Sequence, residues 1–324
     1  MREYVGIDVS KETLDVCYLS SNQSLKPKHQ VFDNTDKGHK ALLRWLHQMT
    51  QKTFANIHVT LEATSVYHLA IAKCLQTKQV LVSVVNPLHS YHYAKGAGMN
   101  GKTDKLDGEM LAHYARERKP VAWHPAPKQL IELKALNLRL YAVEKDIRRE
   151  QNRLESAELA AHSKAVIRLI KVSIRQLEKQ AQTLVDLIED VIESHNELKR
   201  NRELLQTIIG VGEVTSRYLV AEIYEGRFVS ASQCAAYMGV IPIPEQSGKY
   251  LKTRLSKRGN RKMKAKLYMA AISAKQYNPV LKKHYDNLIA RGKCKMSALC
   301  AVMRRLVQIC FGVIKHQKEF CLLA

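Results

Sequence analysis

Alternating and periodic apolar positions divide the first 127 residues into short strands and helices. The strands that this pattern predicts are 4–9, 14–19, 29–33, 57–62 and 80–85, the last ending at Asn86-Pro87. Apolar residues at helical spacing predict helices over 37–50, 65–77 and 103–118, with a small, flexible stretch at 95–103. A hairpin followed by alternating strands and helices is typical of an α/β domain with a mixed sheet.

The middle of the chain, residues 128–204, has the pattern of long helices. One apolar ladder starts at Leu133, and a second runs from Ile170 to Leu198 in steps of four and three residues, which is heptad spacing. This spacing predicts an antiparallel or intermolecular coiled coil, with an ordinary helical hairpin as the alternative. His195 falls on the seam and is interpreted as a polar residue that sets the register.

The last third, residues 205–324, is predicted to be mainly α-helical, with a loop at 239–260. It also holds most of the charge, because the formal net charge of the whole chain is +22 and residues 206–324 have 21 Lys/Arg against 6 Asp/Glu. Nine Lys/Arg and no acidic residue lie between 249 and 266. So basic a surface favours phosphate contact over a merely solvated face and indicates a nucleic acid as partner.

The seven cysteines and the apolar segments exclude several classes of protein. Their number is odd and no C-x-x-C pair occurs, which argues against a disulfide framework and a zinc ribbon. No signal-peptide core and no uncharged apolar run of 18 residues is present, so no membrane span is predicted. We therefore expect a cytoplasmic protein, associated with the nucleoid when it acts.

Four carboxylates occur where an α/β sheet would bring them together. Asp8 lies inside an apolar strand, Glu62 ends another strand, and Asp104 and Asp107 share one face at the start of a helix that Thr103 could cap. A carboxylate in any one of these positions is more often exposed to solvent or a helix cap than a metal ligand. Together they predict a site for Mg²⁺ or Mn²⁺, where two ions would stabilise a phosphoryl displacement.

Two glycine-containing segments in the basic region are ambiguous by themselves. Ile208-Ile-Gly210-Val-Gly212 resembles a helix-hairpin-helix, in which glycines let backbone N–H groups approach a phosphate, but a plain turn has equal weight. Gln246-Ser247-Gly248 on its spacing alone indicates only a turn.

The motifs in combination resemble a known family, the DEDD transposases of insertion sequences and the related Piv-type DNA invertases. In the first half the resemblance lies in Gly6-Ile-Asp8-Val-Ser-Lys11, Glu62-Ala-Thr64 and Lys102-Thr-Asp104-Lys-Leu-Asp107. In the second half the shared order is Gly210-Val-Gly212, Arg227-Phe228, Ala236-Tyr-Met-Gly239, Pro242, Ser247-Gly248 and Lys257-Arg-Gly-Asn260. The middle helices match only in type.

This resemblance implies both a fold and a set of functional residues. It implies an RNase H-like (RuvC-like) metal-binding domain at 1–127, a helical coiled-coil dimerisation segment at 128–204 and a basic transposase domain at 205–324. Asp8, Glu62, Asp104 and Asp107 would be the metal-binding set and Ser247 the DNA nucleophile, in a composite site to which two protomers of a dimer or tetramer could contribute. In part of the family a structured non-coding RNA selects the DNA, which makes RNA a second candidate partner.

The nucleic-acid-binding residues that we predict combine the glycine turn with the basic run. They are Gly210, Gly212, Lys249, Lys252, Arg254, Lys257, Arg258, Arg261 and Lys262.

The predicted function is Mg²⁺-dependent cutting and rejoining of DNA through a serine, and other functions stay open. A Piv-like enzyme would invert a fixed segment, and a metal-dependent nuclease or junction resolvase would use water in place of Ser247. An actin-like ATPase shares the Gly-Ile-Asp-Val-Ser segment but has no use for the basic region. A non-catalytic DNA-binding protein would explain the charge, but it would not explain why costly carboxylates lie within the strands.

Overall fold

The computed structural model divides the chain into two compact units, residues 1–125 and residues 126–324. It describes residues 2–22, 24–51, 53–63, 65–99, 101, 103–224, 227–248 and 250–321. The helical segment 128–204 shares a unit and a hydrophobic core with the region that follows it.

A five-stranded mixed sheet forms the centre of the first unit. Its strands are β1 (Glu3–Val9), β2 (Thr13–Leu19), β3 (Lys28–Asp33), β4 (Ile57–Glu62) and β5 (Leu81–Val85), in the order β3-β2-β1-β4-β5. β2 is antiparallel to both of its neighbours, whereas β1, β4 and β5 run parallel. An antiparallel hairpin extended by parallel strands confirms the predicted α/β, RNase H-like domain.

Four α-helices accompany this sheet: α1 (Asp36–Thr50), α2 (His68–Thr77), α3 (Pro87–Gly96) and α4 (Asp104–Arg118). α4 lies directly on β1 because both elements have a glycine at the contact. A Cβ atom on Gly6 would lie 2.0 Å from the carbonyl oxygen of Gly108, and one on Gly108 would lie 3.0 Å from the carbonyl oxygen of Asp15. Because α4 packs so closely on β1, the first turn of α4 can lie at the end of the central strands.

The prediction missed α3 and placed the start of α2 too early. Asn86-Pro87 was interpreted only as a strand stop, but the Asn86 side chain accepts a hydrogen bond from Leu88 N and Pro87 opens the helix, so the pair is also a helix start. Ser65 has φ +57, outside the helical region, and α2 begins three residues later.

The second unit is mainly helical, as predicted. Its helices are α5 (Lys128–Leu159), α6 (Lys164–Glu193), α7 (Asn196–Gln206), α8 (Glu213–Glu222), α9 (Ala231–Tyr237), α10 (Arg261–Tyr277), α11 (Pro279–Ala290) and α12 (Lys295–His316). α5 and α6 pack against each other within the chain as an antiparallel pair joined by a short turn. The heptad pattern thus forms a helical hairpin within the chain.

The end of the second ladder was assigned wrongly. α6 stops at Glu193, and His195 precedes α7, where its Nδ1 lies 2.8 Å from the carbonyl oxygen of Val191. Leu198 therefore belongs to α7, and it lies in the same hydrophobic core as Ile188 and Ile192 of α6.

The segment 239–260 is a β-hairpin where a loop was predicted. β6 (Pro242–Ser247) and β7 (Tyr250–Leu255) pair antiparallel and form a two-stranded sheet. The described residues of this hairpin are mostly exposed, so its strands lack the apolar alternation by which buried strands are recognised. Pro242 and Pro244 are also unusual within a strand, so they favoured the prediction of a loop in place of β6.

α12 is long and apolar enough to cross a membrane by length and composition, contrary to the sequence-based expectation that no segment qualifies. Half of its most apolar stretch is buried within the protein, where Val302, Leu306 and Cys310 belong to the core of the second unit. These contacts are those of a core helix.

Candidate functional site

The four predicted carboxylates lie at the ends of the central strands and of the helix packed on them. Asp8 is the last residue but one of β1, and the pairing of Ile7 with Leu61 places Glu62 beside it at the end of the parallel strand β4. Asp104 and Asp107 occupy the first turn of α4. Thr103 fixes that turn, because its side chain accepts a hydrogen bond from Leu106 N at 3.2 Å.

The electrostatics at Asp8 show that these groups are close together. Its pKa is raised from 3.8 to about 6, first by burial and then by the negative charges of Asp107, Asp104 and Glu62. A hydrogen bond from the backbone of Val9 acts in the opposite direction. The structure thus brings all four predicted residues to one edge of the sheet.

Two residues of this region were missed from the sequence. Asp15 of β2 pairs with Asp8 across the hairpin, and its pKa is raised by burial and then by the charge of Asp104. Buried Ser90 of α3 donates a 2.7 Å hydrogen bond to Oε2 of Glu62. The register of the hairpin could have revealed Asp15, whereas Ser90 depends on a helix that was not predicted.

The donor set fits a hard divalent cation by its chemistry. Carboxylate oxygens are the ligands that Mg²⁺ and Mn²⁺ prefer, and mutual repulsion around Asp8 favours a bound positive charge. In the part of the chain that the structure describes, no three His, Cys, Asp or Glu side chains are arranged closely enough to hold a metal ion. Binding would require side-chain rotation, which is open to exposed Asp104.

Ser247 lies in the second unit, at the exposed tip of the β6–β7 hairpin. It is the last residue of β6 and pairs with Tyr250, and Gly248 after it adopts φ +56. Ser247 itself is exposed. A hydroxyl at a hairpin tip is accessible to a large substrate.

The predicted basic residues fall into three groups. Lys257 and Arg258 are exposed between β7 and α10, and Arg261 is exposed at the first position of α10. Arg254 forms an ion pair with Glu245 across the hairpin, and Lys262 lies over the ring of Tyr141 at 4.8 Å.

Several residues of the predicted motifs lie outside the described part of the chain. They are Lys249, Thr64 and Lys102, together with the side chain of Lys252.

The two glycines of the predicted helix-hairpin-helix differ in their surroundings. Gly210 has φ +105, and a Cβ atom there would lie 2.5 Å from the Cβ of Ala274 in α10, so packing alone explains this glycine. Gly212 precedes α8 and has open space around it. The helices α7 and α8 pack together around this turn, as the motif predicts.

Comparison with known proteins decides the family. A model described as "Transposase" matches residues 5–162, and one described as "Transposase IS116/IS110/IS902 family" matches residues 202–286. The pilin gene-inverting protein of Moraxella bovis is 30% identical over 326 residues, covering 98% of both chains. The chain belongs to this transposase family. Its members are enzymes that act on DNA.

Three further proteins are similar to all or part of this chain. The pilin gene-inverting protein of Moraxella lacunata is also 30% identical, with 98% of both chains covered. The insertion element IS110 uncharacterized 43.6 kDa protein of Streptomyces coelicolor is 26% identical over 46% of this chain and 36% of its own length. The structure of T. thermophilus RuvC with a Holliday junction covers 35% of this chain and 95% of its own, at 14% identity and a TM-score of 0.27, too low to carry an argument.

Proposed function

We propose that this transposase-family protein is a site-specific DNA recombinase that cuts and rejoins strands through Ser247, with Mg²⁺ or Mn²⁺ held by the first unit. The observation that carries the proposal is the gathering of Glu62, Asp104 and Asp107 around Asp8. This cluster occurs in a chain whose relatives of equal length include pilin gene-inverting proteins.

The reaction at Ser247 is a transesterification. Its Oγ attacks a DNA phosphorus, an Oγ–P bond forms, and the bond from phosphorus to the leaving sugar oxygen breaks. The serine proton passes to solvent water, and the released sugar oxygen takes up a proton from water to become a hydroxyl. The same steps in reverse, with a hydroxyl of another strand as nucleophile, free the serine and rejoin the DNA, so no phosphodiester is hydrolysed.

The carboxylates Asp8, Glu62, Asp104 and Asp107 would hold the cation. When bound, it would neutralise charge on the phosphate and lower the pKa of the attacking hydroxyl. Ser90 would hold Glu62 in position through its 2.7 Å hydrogen bond.

DNA would be held through its phosphates. Exposed Lys257, Arg258 and Arg261 offer charged contacts beside the Ser247 hairpin. Open Gly212 at the start of α8 leaves helix N–H groups accessible to a further phosphate. Because DNA is the proposed substrate, we also expect the protein to act in the cytoplasm.

The test separates the two chemical claims. A nicked recombination site should trap a covalent protein–DNA species, which Ser247→Ala should abolish. Asp8→Asn and Asp104→Asn should abolish strand cleavage while DNA binding persists. A covalent species that survives Ser247→Ala, or hydrolysed products that are never rejoined, would favour the metal-dependent nuclease in which water attacks.

End-to-end similarity to pilin gene-inverting proteins supports inversion of a fixed DNA segment as the second candidate use. Transposition of an insertion element is the use that the family models favour. The flanking DNA discriminates between them. Inverted repeats around a surface-protein gene support inversion, and non-coding sequence at the ends of a mobile element supports transposition.

The proposal also includes partners. A dimer or tetramer would be seen by light scattering, and a mixture of Asp8→Asn and Ser247→Ala chains that regains cleavage would show that two protomers share the reaction. A structured RNA would copurify with the protein and be removed by ribonuclease, and loss of target choice after that treatment would identify it as a guide.

A further inference from the structure

Three motifs of the second half, which the proposed reaction at Ser247 does not use, meet at one carboxylate. Glu222 at the end of α8 accepts a hydrogen bond from the guanidinium of Arg227. It also accepts one from Tyr237 Oη at 3.0 Å and one from Asn260 Nδ2 at 3.2 Å. These donors come from the Arg-Phe, Ala-Tyr-x-Gly and Lys-x-Gly-Asn segments.

Two glycines make this meeting possible. Gly239 and Gly259 both have positive φ, and a Cβ atom on Gly259 would lie 2.6 Å from the backbone of Gly239. The two segments therefore lie backbone against backbone, and Asn260 N donates to the carbonyl oxygen of Tyr237 at 3.0 Å. The Arg227 guanidinium stacks over the Tyr237 ring at 4.3 Å. These hydrogen bonds and the stacked guanidinium hold Arg227, Tyr237 and Asn260 together around Glu222.

Beside the cluster lies a cavity of about 250 Å³, entirely within the second unit. α5 contributes Lys134 and Asn137 to its wall, α8 contributes Tyr218, and Lys262 lines it from the first turn of α10. Its volume corresponds to about eight water molecules at roughly 30 Å³ each. We call it the Asn137 cavity.

Buried polar atoms of the Asn137 cavity lack partners. Asn137 is 5% exposed, and neither its Nδ2 nor its Oδ1 makes a hydrogen bond within the described protein. Tyr218 is 7% exposed, and its hydroxyl likewise makes no hydrogen bond within the described protein. Buried polar groups are almost always satisfied, so an amide with a free donor and a free acceptor calls for a partner in the cavity that offers both, either water or a ligand.

The charges around the cavity favour an anionic ligand. Glu222 already accepts hydrogen bonds from three donors, so its charge is matched. Burial, followed by the charge of Arg227, lowers the pKa of Lys134 to about 8, and the charge of Glu222 acts in the opposite direction. Lys262 lies at the N-terminus of α10, where helix N–H groups also attract anions.

We propose that the Asn137 cavity receives one unpaired nucleobase of a bound nucleic-acid strand, while Lys262 and the N-terminus of α10 hold the adjacent phosphate. The Asn137 amide pairs with the base edge, as side-chain amides do in base recognition, and Tyr218 supplies a further polar contact. The inference rests on the proposed function only in that nucleic acid is the ligand. It adds that the strand is bound with a base out of its stack.

The experiment measures binding of labelled duplexes to the full-length protein in EDTA by fluorescence anisotropy. The probes are DNA duplexes with a central bulged nucleotide, with an abasic residue at the bulge, or fully paired, and a parallel set made of RNA. Wild-type protein should bind the bulged base at least about fivefold more tightly than the abasic bulge. Asn137→Leu should abolish this preference and leave affinity for the paired duplex unchanged.

Control variants keep the result interpretable. Asn152→Leu makes the same change at an exposed position of α5 and should keep the preference. Tyr218→Phe removes the second unpaired group and should weaken the preference; it serves if Asn137→Leu fails to fold. Asp8→Asn should keep the preference although cleavage is lost, so a failure of the metal-site proposal is separate from a failure here.

The outcomes decide the inference and the source of the base. A preference seen with DNA identifies the substrate strand, and one seen with RNA identifies an RNA partner. No preference in the wild type with either set overturns the inference. A preference that Asn137→Leu and Tyr218→Phe both retain also overturns it and leaves the cavity as a site for water.

Discussion

Ser90 Oγ donates a 2.7 Å hydrogen bond to Oε2 of Glu62, joining the first turns of α3 to the end of β4. Ser90 is completely buried, whereas Glu62 is half-buried. We expect Ser90→Ala to lower strand cleavage about 10- to 100-fold, because groups that orient metal ligands have effects of that size. The Mg²⁺ concentration needed for half-maximal cleavage should be higher for this variant than for the wild type. Ser24→Ala, at an exposed position, is the matched control, and equal activity of the two variants would contradict the prediction.

Asp8→Asn should stabilise the protein in the absence of metal. Burial and three neighbouring carboxylates disfavour the charged form of Asp8, so a neutral amide of the same shape should raise the free energy of unfolding by about 1–2 kcal/mol. Mg²⁺ should then raise the melting temperature of the wild type but have little effect on the variant. Thermal denaturation in EDTA and in Mg²⁺ measures both effects. A metal-induced shift of equal size in both proteins would speak against Asp8 as a ligand.

Gly6→Ala should separate α4 from the sheet. The added Cβ would lie 2.0 Å from the carbonyl oxygen of Gly108 and 2.4 Å from Ala112 N, both of them backbone atoms. We expect a decrease of about 3 kcal/mol or more in the free energy of unfolding, and loss of cleavage because Asp104 and Asp107 move with the helix. Gly96→Ala, where a Cβ meets nothing within 4 Å, should leave both quantities nearly unchanged. A well-folded, active Gly6→Ala protein would show that this contact is not needed.

His58 should make the first unit sensitive to acid. Ser83 Oγ donates its proton towards the carbonyl oxygens of Pro120 and Val121, at 3.0 and 2.9 Å, so it accepts a hydrogen bond from His58 Nε2 at 2.8 Å. Burial, followed by the charge of Arg2, lowers the pKa of His58 from 6.5 to about 4. The unfolded chain therefore binds the proton first. Stability present above pH 6.5 should fall as the pH drops towards about 4, by up to about 3 kcal/mol.

An NMR titration of the His58 ring checks the origin of this effect. Its signal should not shift until well below pH 6.5. Titration of His58 near pH 6.5 would contradict the assignment. Burial also lowers the pKa of His39 and His68, so these residues should add to the acid sensitivity in the same direction.

The exposed basic residues from the end of β7 to the first position of α10 should control the salt dependence of DNA binding. Replacing Lys257, Arg258 and Arg261 by alanine should weaken binding and reduce the slope of log K against log salt by about 0.9 for each phosphate that is no longer neutralised. Lys282→Ala is the control, because that side chain is already paired with Asp286 at 3.0 Å. An unchanged slope in the triple variant would mean that other residues bind the phosphates. Lys264 is unsuitable for this test, since its Nζ donates to the carbonyl oxygen of Ser256.

The identities of the strands and of the acidic residues were accessible from local patterns. β1 and β4 are buried apolar runs, and an acid inside or at the end of such a run is noticeable because it is costly there. The Thr103 cap and the first turn of α4 follow from the same local rules. Ser90, whose importance comes from its contact with another element, has no comparable local mark.

The amino-acid sequence by itself determined the α/β class of the first half, the helical nature of the second, the charge of its basic region and the family motifs. These properties depend on periodicity, composition and short-range order. Only the tertiary structure decided that the heptad ladder forms a hairpin ending at Glu193, and that the Ser247 segment is a β-hairpin. Only it showed that Arg227, Tyr237 and Asn260 meet at Glu222 beside unpaired Asn137. Such contacts join residues far apart in the chain, and their free energy depends on packing and desolvation, which no local pattern records.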